Sequence, residues 1–297
     1  MMTSIAVVAH AGKQLGGGLP ELRRELQRIG FADPIWHEVQ KSKQAPKRIA
    51  AAVDAGAELI FVWGGDGMVQ RSIDALKKHP GVTIAILPAG TANLLATNLG
   101  IPKDLAAAVD IGLHGSRRTL DVGSINGERF AVMAGCGFDA LMIHDADKGL
   151  KDRFGRAAYV WTGAKNLRVN AISGRVRVDG HDWFTGKLGC LLVGNVGSVF
   201  GDVQLFDDAR PDDGRLDVGI VTAEGAGQWT RALARAAFGR AEKSPLIRMT
   251  VARKIEVKLD QKTRYQLDGG DRPPTRQLKI KVHPAAIEIA VPHAPVA

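Results

Sequence analysis

An apolar run from Glu58 to Trp63 breaks on Gly64-Gly65-Asp66-Gly67, and helical spacing resumes at once from Met68 to Lys78. A second unit of the same kind follows. Val82 to Leu87 reads as a strand, Pro88-Ala89-Gly90-Thr91-Ala92-Asn93 as a turn, and Thr91 to Leu99 as a helix. Consecutive strands of a parallel sheet end on one edge, and ligands bind at that edge. The two glycine turns are therefore expected side by side. Glycine lets a backbone approach a bulky anion, and the N–H groups and dipole of the following helix favour phosphate. An aspartate in such a turn repels phosphate, so Asp66 suits Mg²⁺, directly or through water, or the orientation of a nearby polar group. Thr91 offers a hydroxyl and a helix cap, and the Asn93 amide is expected to reach a nucleotide or the Asp66 carboxylate. A chain reversal without a ligand is the structural alternative.

The surrounding sequence has the matching rhythm. Ser4 to Ala9 is a short strand, Gly12 to Gly18 a glycine-rich turn, and Leu19, Leu22, Leu26 and Ile29 recur at helical spacing. Further helices are expected over 45–55 and Lys103 to His114. This order predicts an α/β domain with a mostly parallel sheet. Near Thr119 the pattern changes to period two: Arg129 to Met133, Ser173 to Asp179, Lys187 to Val193, Arg215 to Val221, Thr250 to Leu259, Arg264 to Leu267 and Gln277 to Val282. These segments predict a β-rich, antiparallel, sandwich-like C-terminal domain, interrupted by helices over Ala157 to Leu167 and Gly227 to Phe238. The expected division is 1–120 and 121–283, with the tail at 284–297 returning to the first domain.

Of the 297 residues, 45% are hydrophobic and 24% charged, which excludes general disorder. No apolar run approaches the roughly 18 residues of a membrane span. The start, MMTSIAVVAHAGK, shows neither a basic flank nor a cleavage pattern, and two cysteines, Cys136 and Cys190, make no disulfide framework. A cytoplasmic protein is expected, with both cysteines in the core. The net charge of +9 lies within one stretch, Arg231 to Lys281, where 14 Lys/Arg face 5 Asp/Glu. Such a stretch suits nucleic acid, an anionic membrane or a phosphorylated small molecule; a solvated sheet face is the plain alternative.

GGDG after a strand, PAGTANLLA at 88–96, LDVG at 120–123 and AGCGFDA at 134–140 resemble the bacterial diacylglycerol kinase-like lipid kinases, which share their catalytic fold with sphingosine and ceramide kinases. Asp212-Asp213-Gly214-Arg215-Leu216-Asp217 and Leu267-Asp268-Gly269-Gly270 fall where that family has DG-x-LD and DGE, so the likeness runs from about residue 4 to 291. The resemblance implies ATP and Mg²⁺ as cofactors, a nucleotide domain followed by a lipid domain, and catalysis in the cleft between. It implies nucleotide contacts from Gly64, Gly65, Asp66, Gly67, Met68, Val69 and Gln70 and from Gly90, Thr91 and Asn93. It also implies an acidic network including Asp66 and Asp121, and a structural Mg²⁺ at Asp213 with backbone oxygens near Arg210 and Arg215.

The sequence departs from the family at telling places. The DGE glutamate, which the resemblance makes the general base, is Gly270; Asp271 is the expected substitute, with Asp268 orienting it or helping with Mg²⁺. The threonine of GGDGT is Met68, the aspartate after GT-x-N is Leu94, and a nucleotide-binding threonine is replaced near Val39 and Gln40, with Ser42 close by. The resulting expectation is a kinase acting on a diacylglycerol-like lipid in phospholipid metabolism, working peripherally at the anionic inner membrane surface. A degenerate member that binds without turnover and an NAD kinase are the alternatives. Nucleic acid is not expected as a partner, because it explains none of the glycine turns. The residues leave the oligomeric state open, a homodimer included.

Overall fold

The computed structural model describes residues 4–137, 171–200, 203–237 and 244–293. The helix expected over Ala157 to Leu167, the Phe138-Asp139-Ala140 end of AGCGFDA, and Phe238 lie outside these residues. The chain divides into two compact units: residues 1–122, 128–131 and 283–297 form the first, and 123–127 and 132–282 the second.

In the first unit, strands β1 (Ile5–His10), β2 (Ile35–Val39), β3 (Leu59–Gly64) and β4 (Thr83–Pro88) are parallel in the order β2-β1-β3-β4. Every residue of β3 and β4 is buried, the signature of strands covered on both faces. Helix α1 (Leu19–Arg28) buries Leu22 and Leu26, and α2 (Ala45–Asp54) buries Ile49 and Ala52. Helix α3 (Asp66–Ala75) follows β3. A five-residue α4 (Leu94–Asn98) follows β4, and then comes α5 (Leu105–His114). Asp104 caps α5 by accepting from the Ala107 N–H at 2.8 Å, an arrangement worth about 1 kcal/mol. Gly112 lets α5 settle on the sheet, since a Cβ there would overlap the Phe61 ring.

Two expectations change here. The helix after GGDG starts at Asp66 rather than Met68, so Asp66 and Gly67 belong to its first turn. The helix after PAGTAN starts at Leu94, and Thr91 does not cap it. Asn93 takes the cap position in a left-handed conformation (φ 52°), which ends the run that helical spacing would extend back to Thr91.

After β5 (Ser116–Ile125) and β6 (Glu128–Phe130), the second unit is built of antiparallel strands. These are β7 (Met133–Cys136), β8 (Ile172–Val178), β9 (His181–Leu188), β10 (Cys190–Gly194), β11 (Ser198–Phe200), β12 (Val203–Gln204) and β13 (Leu216–Val221). Helix α6 (Ala226–Ala237) follows, then β14 (Ile247–Ala252), β15 (Lys254–Leu267) and β16 (Gly270–Val291). β13 pairs with β14 and β10, and β10 with β7. The first half of β15 pairs with β8 and its last residues with β7, while β16 runs along both parts. The far end of β16 belongs to the first unit, where Ile289 lies parallel beside Ile84.

Sequence alternation divides these strands differently. Thr250 to Leu259 is two strands broken at Arg253, and Lys187 to Val193 is two broken at Gly189. Arg129 to Met133 likewise divides between β6 and β7. Conversely, Arg264 to Leu267 continues β15, because register shifts around Thr263 carry the strand through the polar run Asp260-Gln261-Lys262. Gln277 to Val282 is the middle of the 22-residue β16. Its exposed Pro273 and Pro274 fall between the paired residues Arg272 and Thr275, where no ladder N–H is needed. Cys136 and Cys190 are buried and free, as expected, and burial pushes the Cys136 thiol up to about 12.

Candidate functional site

β3 and β4 run side by side with Gly64 opposite Pro88, so both glycine turns leave the same sheet edge. The turns pack on each other. A Cβ on Gly90 would overlap the Gly65 Cα, and one on Gly65 would lie 3.0 Å from the Gly90 Cα. Asn93 then closes the second turn upon itself. Its Oδ1 accepts from the Gly90 N–H at 2.9 Å, and its Nδ2 donates to the carbonyls of Pro88 (3.1 Å) and Gly90 (2.9 Å). With 3% exposure, the Asn93 side chain is a brace inside the turn, and its hydrogen bonds go to Gly90 and Pro88 rather than to the Asp66 carboxylate.

Asp66 joins the two turns. Its Oδ1 accepts from the Leu94 N–H at 2.6 Å, the start of α4. Burial raises its pKa above the ordinary carboxylate value, opposed by backbone N–H groups of Leu94, Asp66 itself, Asn93 and Leu95. A carboxylate also belongs at a helix start on electrostatic grounds, and Asp66 occupies the first turn of α3.

The remaining expected nucleotide residues separate into rim and core. Gly65, Asp66, Gly67, Gly90 and Thr91 retain exposure. Met68, Val69 and Gln70 are buried, and the N–H groups of Met68 and Val69 are bound to the Gly65 carbonyl. Met68 lies against Gly64, and Gln70 Nε2 donates to the Arg129 carbonyl at 2.7 Å. Two further groups stand at the rim. Ser42 Oγ lies 3.7 Å from where a Gly67 Cβ would be, and Lys103 Nζ donates to the Thr91 carbonyl at 2.9 Å. Lys103 has no local signal, because only the fold of the turn brings it back twelve residues. The Gly12-Lys13 loop is also tied to this edge, since Trp63 Nε1 donates to the Lys13 carbonyl at 3.1 Å. Asp121 is buried, and its Oδ1 accepts from the Ala285 N–H at 2.8 Å; none of the described hydrogen bonds links it to Asp66.

In the second unit, Asp268 and Gly269, both at positive φ (44° and 79°), form the two-residue turn from β15 into β16. An Asp-Gly pair suits such a turn because its twist matches that of the strands. Asp268 is buried, with Oδ1 accepting from the Val132 and Met133 N–H groups, each at 2.9 Å. These two bonds latch the turn to the start of β7. Asp271 stands exposed opposite Gln266. Gly270 lies outside the left-handed region, and a Cβ there would meet chiefly the tip of Arg272, 2.9 Å away.

Asp213 is exposed, and its Oδ1 accepts from the Arg215 N–H at 2.9 Å; Arg210 and Arg215 are exposed as well. Burial, with the nearby Asp213 and Asp208 carboxylates, pushes Asp217 up to about 6. Among the described residues, no cluster of three His, Cys, Asp or Glu forms a ready metal cage. Asp208, Asp213 and Asp217 nevertheless bring three carboxylates near one another, the oxygen-donor type that a hard cation takes.

The Diacylglycerol kinase catalytic domain family matches residues 6–125, and the YegS C-terminal NAD kinase beta sandwich-like domain matches 132–291. A protein of Pseudomonas aeruginosa strain UCBPP-PA14, described as "Probable lipid kinase YegS-like", is 31% identical over 97% of this chain and 94% of its own. A diacylglycerol kinase of Staphylococcus carnosus is 27% identical, covering 92% of this chain and 89% of its own. Among solved structures, a diacylglycerol kinase from Bacillus anthracis superposes with TM-score 0.78 at 20% identity, covering 98% and 97% of the two chains. An NAD kinase from Archaeoglobus fulgidus, solved with ATP, gives 0.53 at 13% identity over 96% and 93%. Both structural likenesses concern the fold.

The packing of the turns separates two glycines. Gly90→Ala is expected to cost about 1–3 kcal/mol, since the new Cβ meets backbone that cannot yield. Gly67→Ala is expected to be neutral or to stabilise by up to about 1 kcal/mol, as a helical glycine whose Cβ would make only ordinary contact, with Ser42 Oγ at 3.7 Å. Denaturant unfolding checks both, and equal losses would contradict the packing account. Asp217 gives a pH test. Because its folded pKa is raised, stability falls as pH rises from the ordinary carboxylate value of 3.8 through about 6. With divalent ions chelated, Asp217→Asn is therefore expected to be more stable than the wild type at about pH 8, by on the order of 1 kcal/mol after solvent screening. The gap should close in acid; a gap independent of pH would contradict the assignment.

Proposed function

This chain belongs to the diacylglycerol kinase-like lipid kinase family, and on that premise we propose that it phosphorylates the hydroxyl of a diacylglycerol-like lipid, using ATP and Mg²⁺. The observation that carries the reading is the pair of glycine turns at one parallel-sheet edge, joined through Asp66 and the Leu94 N–H. The exposed backbone of Gly65 to Gly67 and Gly90 to Thr91 faces the phosphates, at the start of α3. Ser42 and Lys103 add a hydroxyl and a cation to that rim. Asp66 itself acts as a positioning residue, holding the start of α4 in place.

In the proposed reaction the lipid hydroxyl oxygen attacks the γ-phosphorus, its proton passes to a carboxylate, and ADP leaves. Asp271 is the exposed carboxylate in the segment that the family uses for its base, and Asp268 positions that segment through the Val132 and Met133 N–H groups. Mg²⁺, when bound with the nucleotide, neutralises phosphate charge. A second divalent ion would be held by Asp213 with the Asp208 and Asp217 carboxylates nearby, in a structural role. A cytoplasmic enzyme at the anionic inner membrane surface, consuming a lipid intermediate of phospholipid metabolism, is the setting that fits this substrate.

Gly270 favours a second reading, binding without turnover, because the motif position that would carry the base has no side chain. One assay distinguishes the readings. Labelled ATP and Mg²⁺ are offered with diacylglycerol, other neutral lipids and NAD to the wild type, Asp271→Asn and Gly270→Glu. The expected result is lipid phosphorylation that falls about 10²–10⁴-fold in Asp271→Asn, with Gly270→Glu at least as active as the wild type. Unchanged turnover in Asp271→Asn would remove the base assignment. Transfer only by Gly270→Glu would establish the non-catalytic reading, and labelled NADP would replace both.

A further inference from the structure

Register across three strands places on one face a set of cations that the linear charge count does not show. Lys254 of β15 lies directly opposite Lys281 of β16, Glu256 opposite Lys279, and Lys258 opposite Gln277. On the other side of β15, β8 adds Arg177 beside Glu256 and Arg175 beside Lys258. The alternate residues, Ile255, Val257, Leu278 and Ile280 among them, are buried, so the charged rows face outward. Two of these cations, Arg175 and Arg177, come from outside the stretch Arg231 to Lys281.

The face is poorly neutralised. Glu256 is the one carboxylate in these rows and serves Lys254 (2.8 Å) and Arg177 (3.5 Å), while Asp182 of β9 also pairs with Arg177 (3.4 Å). Arg175, Lys258 and Lys281 form no ion pair among the described residues. Like charges directly opposed across an antiparallel pair, such as Lys254 and Lys281, destabilise a sheet unless an anion lies over them. Along this edge runs a shallow concavity of about 670 Å³, lined by Asn126, Thr275, Lys254, Lys279 and Lys281 among others. Lys254 also lines an adjoining groove with Arg215, Arg253 and Val251. The Asp179 carboxylate in that groove is engaged by the Arg253 and Lys254 N–H groups. Val251, 44% exposed, is the exposed large hydrophobic side chain among the described residues.

We propose that this face of β8, β15 and β16, with Val251 at its border, is the surface by which the protein docks on an anionic phospholipid bilayer. The choice of bilayer rests on the lipid-substrate reading above, whereas the surface itself rests on register and charge. Two features favour a bilayer over nucleic acid. No aromatic side chain stands in the charged rows, so bases have nothing to stack on. An exposed valine in a groove with Lys254, Arg253 and Arg215 gains from the apolar layer under lipid headgroups, as amphipathic surfaces do.

The test is binding of the full chain to phosphatidylcholine vesicles with and without phosphatidylglycerol, at low and high salt. The wild type is expected to bind only the anionic vesicles, and to release in high salt. Replacing Lys254, Lys279 and Lys281 with Gln should weaken binding by about fivefold per lysine, on the order of 100-fold together. Lys281→Gln alone guards against misfolding: it relieves the Lys254–Lys281 repulsion, so its melting temperature should hold or rise while affinity drops about fivefold. Wild-type affinity in the triple variant would overturn the proposal. So would salt-insensitive binding, or tighter binding to a DNA duplex than to anionic vesicles. A water-soluble short-chain diacylglycerol separates this outcome from that of the kinase reading. The triple variant should phosphorylate it at the wild-type rate. If the wild type leaves it unmodified yet binds vesicles as expected, the kinase reading falls and the docking surface stands.

Discussion

The hydrogen bond from the Leu94 N–H to the Asp66 carboxylate ties together the two glycine turns at the edge of the parallel sheet. Each glycine turn is set by its own strand, and beside the Ala89 N–H bond to the Gly64 carbonyl (3.1 Å) this side-chain contact fixes one against the other. A charge-assisted bond of this kind contributes about 1.5–3 kcal/mol, and here it works against the burial that disfavours the ionised carboxylate. At the close approach of Gly65 and Gly90 the turns touch backbone to backbone, with no side chain to adapt. The exposed rim, Gly65 to Gly67 with Gly90 and Thr91, is the outer surface of that assembly.

Asp268 repeats the device in the second unit. It accepts from two backbone N–H groups, at Val132 and Met133, and holds the turn from which β16 departs toward Asp271. In both motifs the aspartate accepts from backbone N–H groups. This backbone role explains how a chain can retain the two aspartates of the family motifs while varying Met68, Leu94 and Gly270 around them.

The alternation of strand, glycine turn and helix was legible because burial on both faces makes β3 and β4 continuously apolar, and the tight turns demand glycine. The change to antiparallel strands was equally legible in period-two segments. What escaped was non-local. Asn93 reads as a ligand-facing amide, and only its left-handed backbone turns it inward. Lys103 reaches the rim through three-dimensional return of the chain, whereas Ser42 is already marked in the sequence beside Val39 and Gln40. Bulges in β15 and prolines in β16 break a periodicity that the ladder itself preserves. The basic face likewise needed register, since Arg175 and Lys281 are distant in sequence and share a face through β15.

The central claim, that Asp66 aligns the two turns by holding the α4 backbone, is most directly tested by amide hydrogen exchange at Leu94. With Asp66→Ala, the Leu94 amide is expected to exchange about 10–100-fold faster, matching the loss of a charge-assisted bond, while the amides of β3 and β4 keep their wild-type protection. Unchanged exchange at Leu94 in that variant would contradict the account.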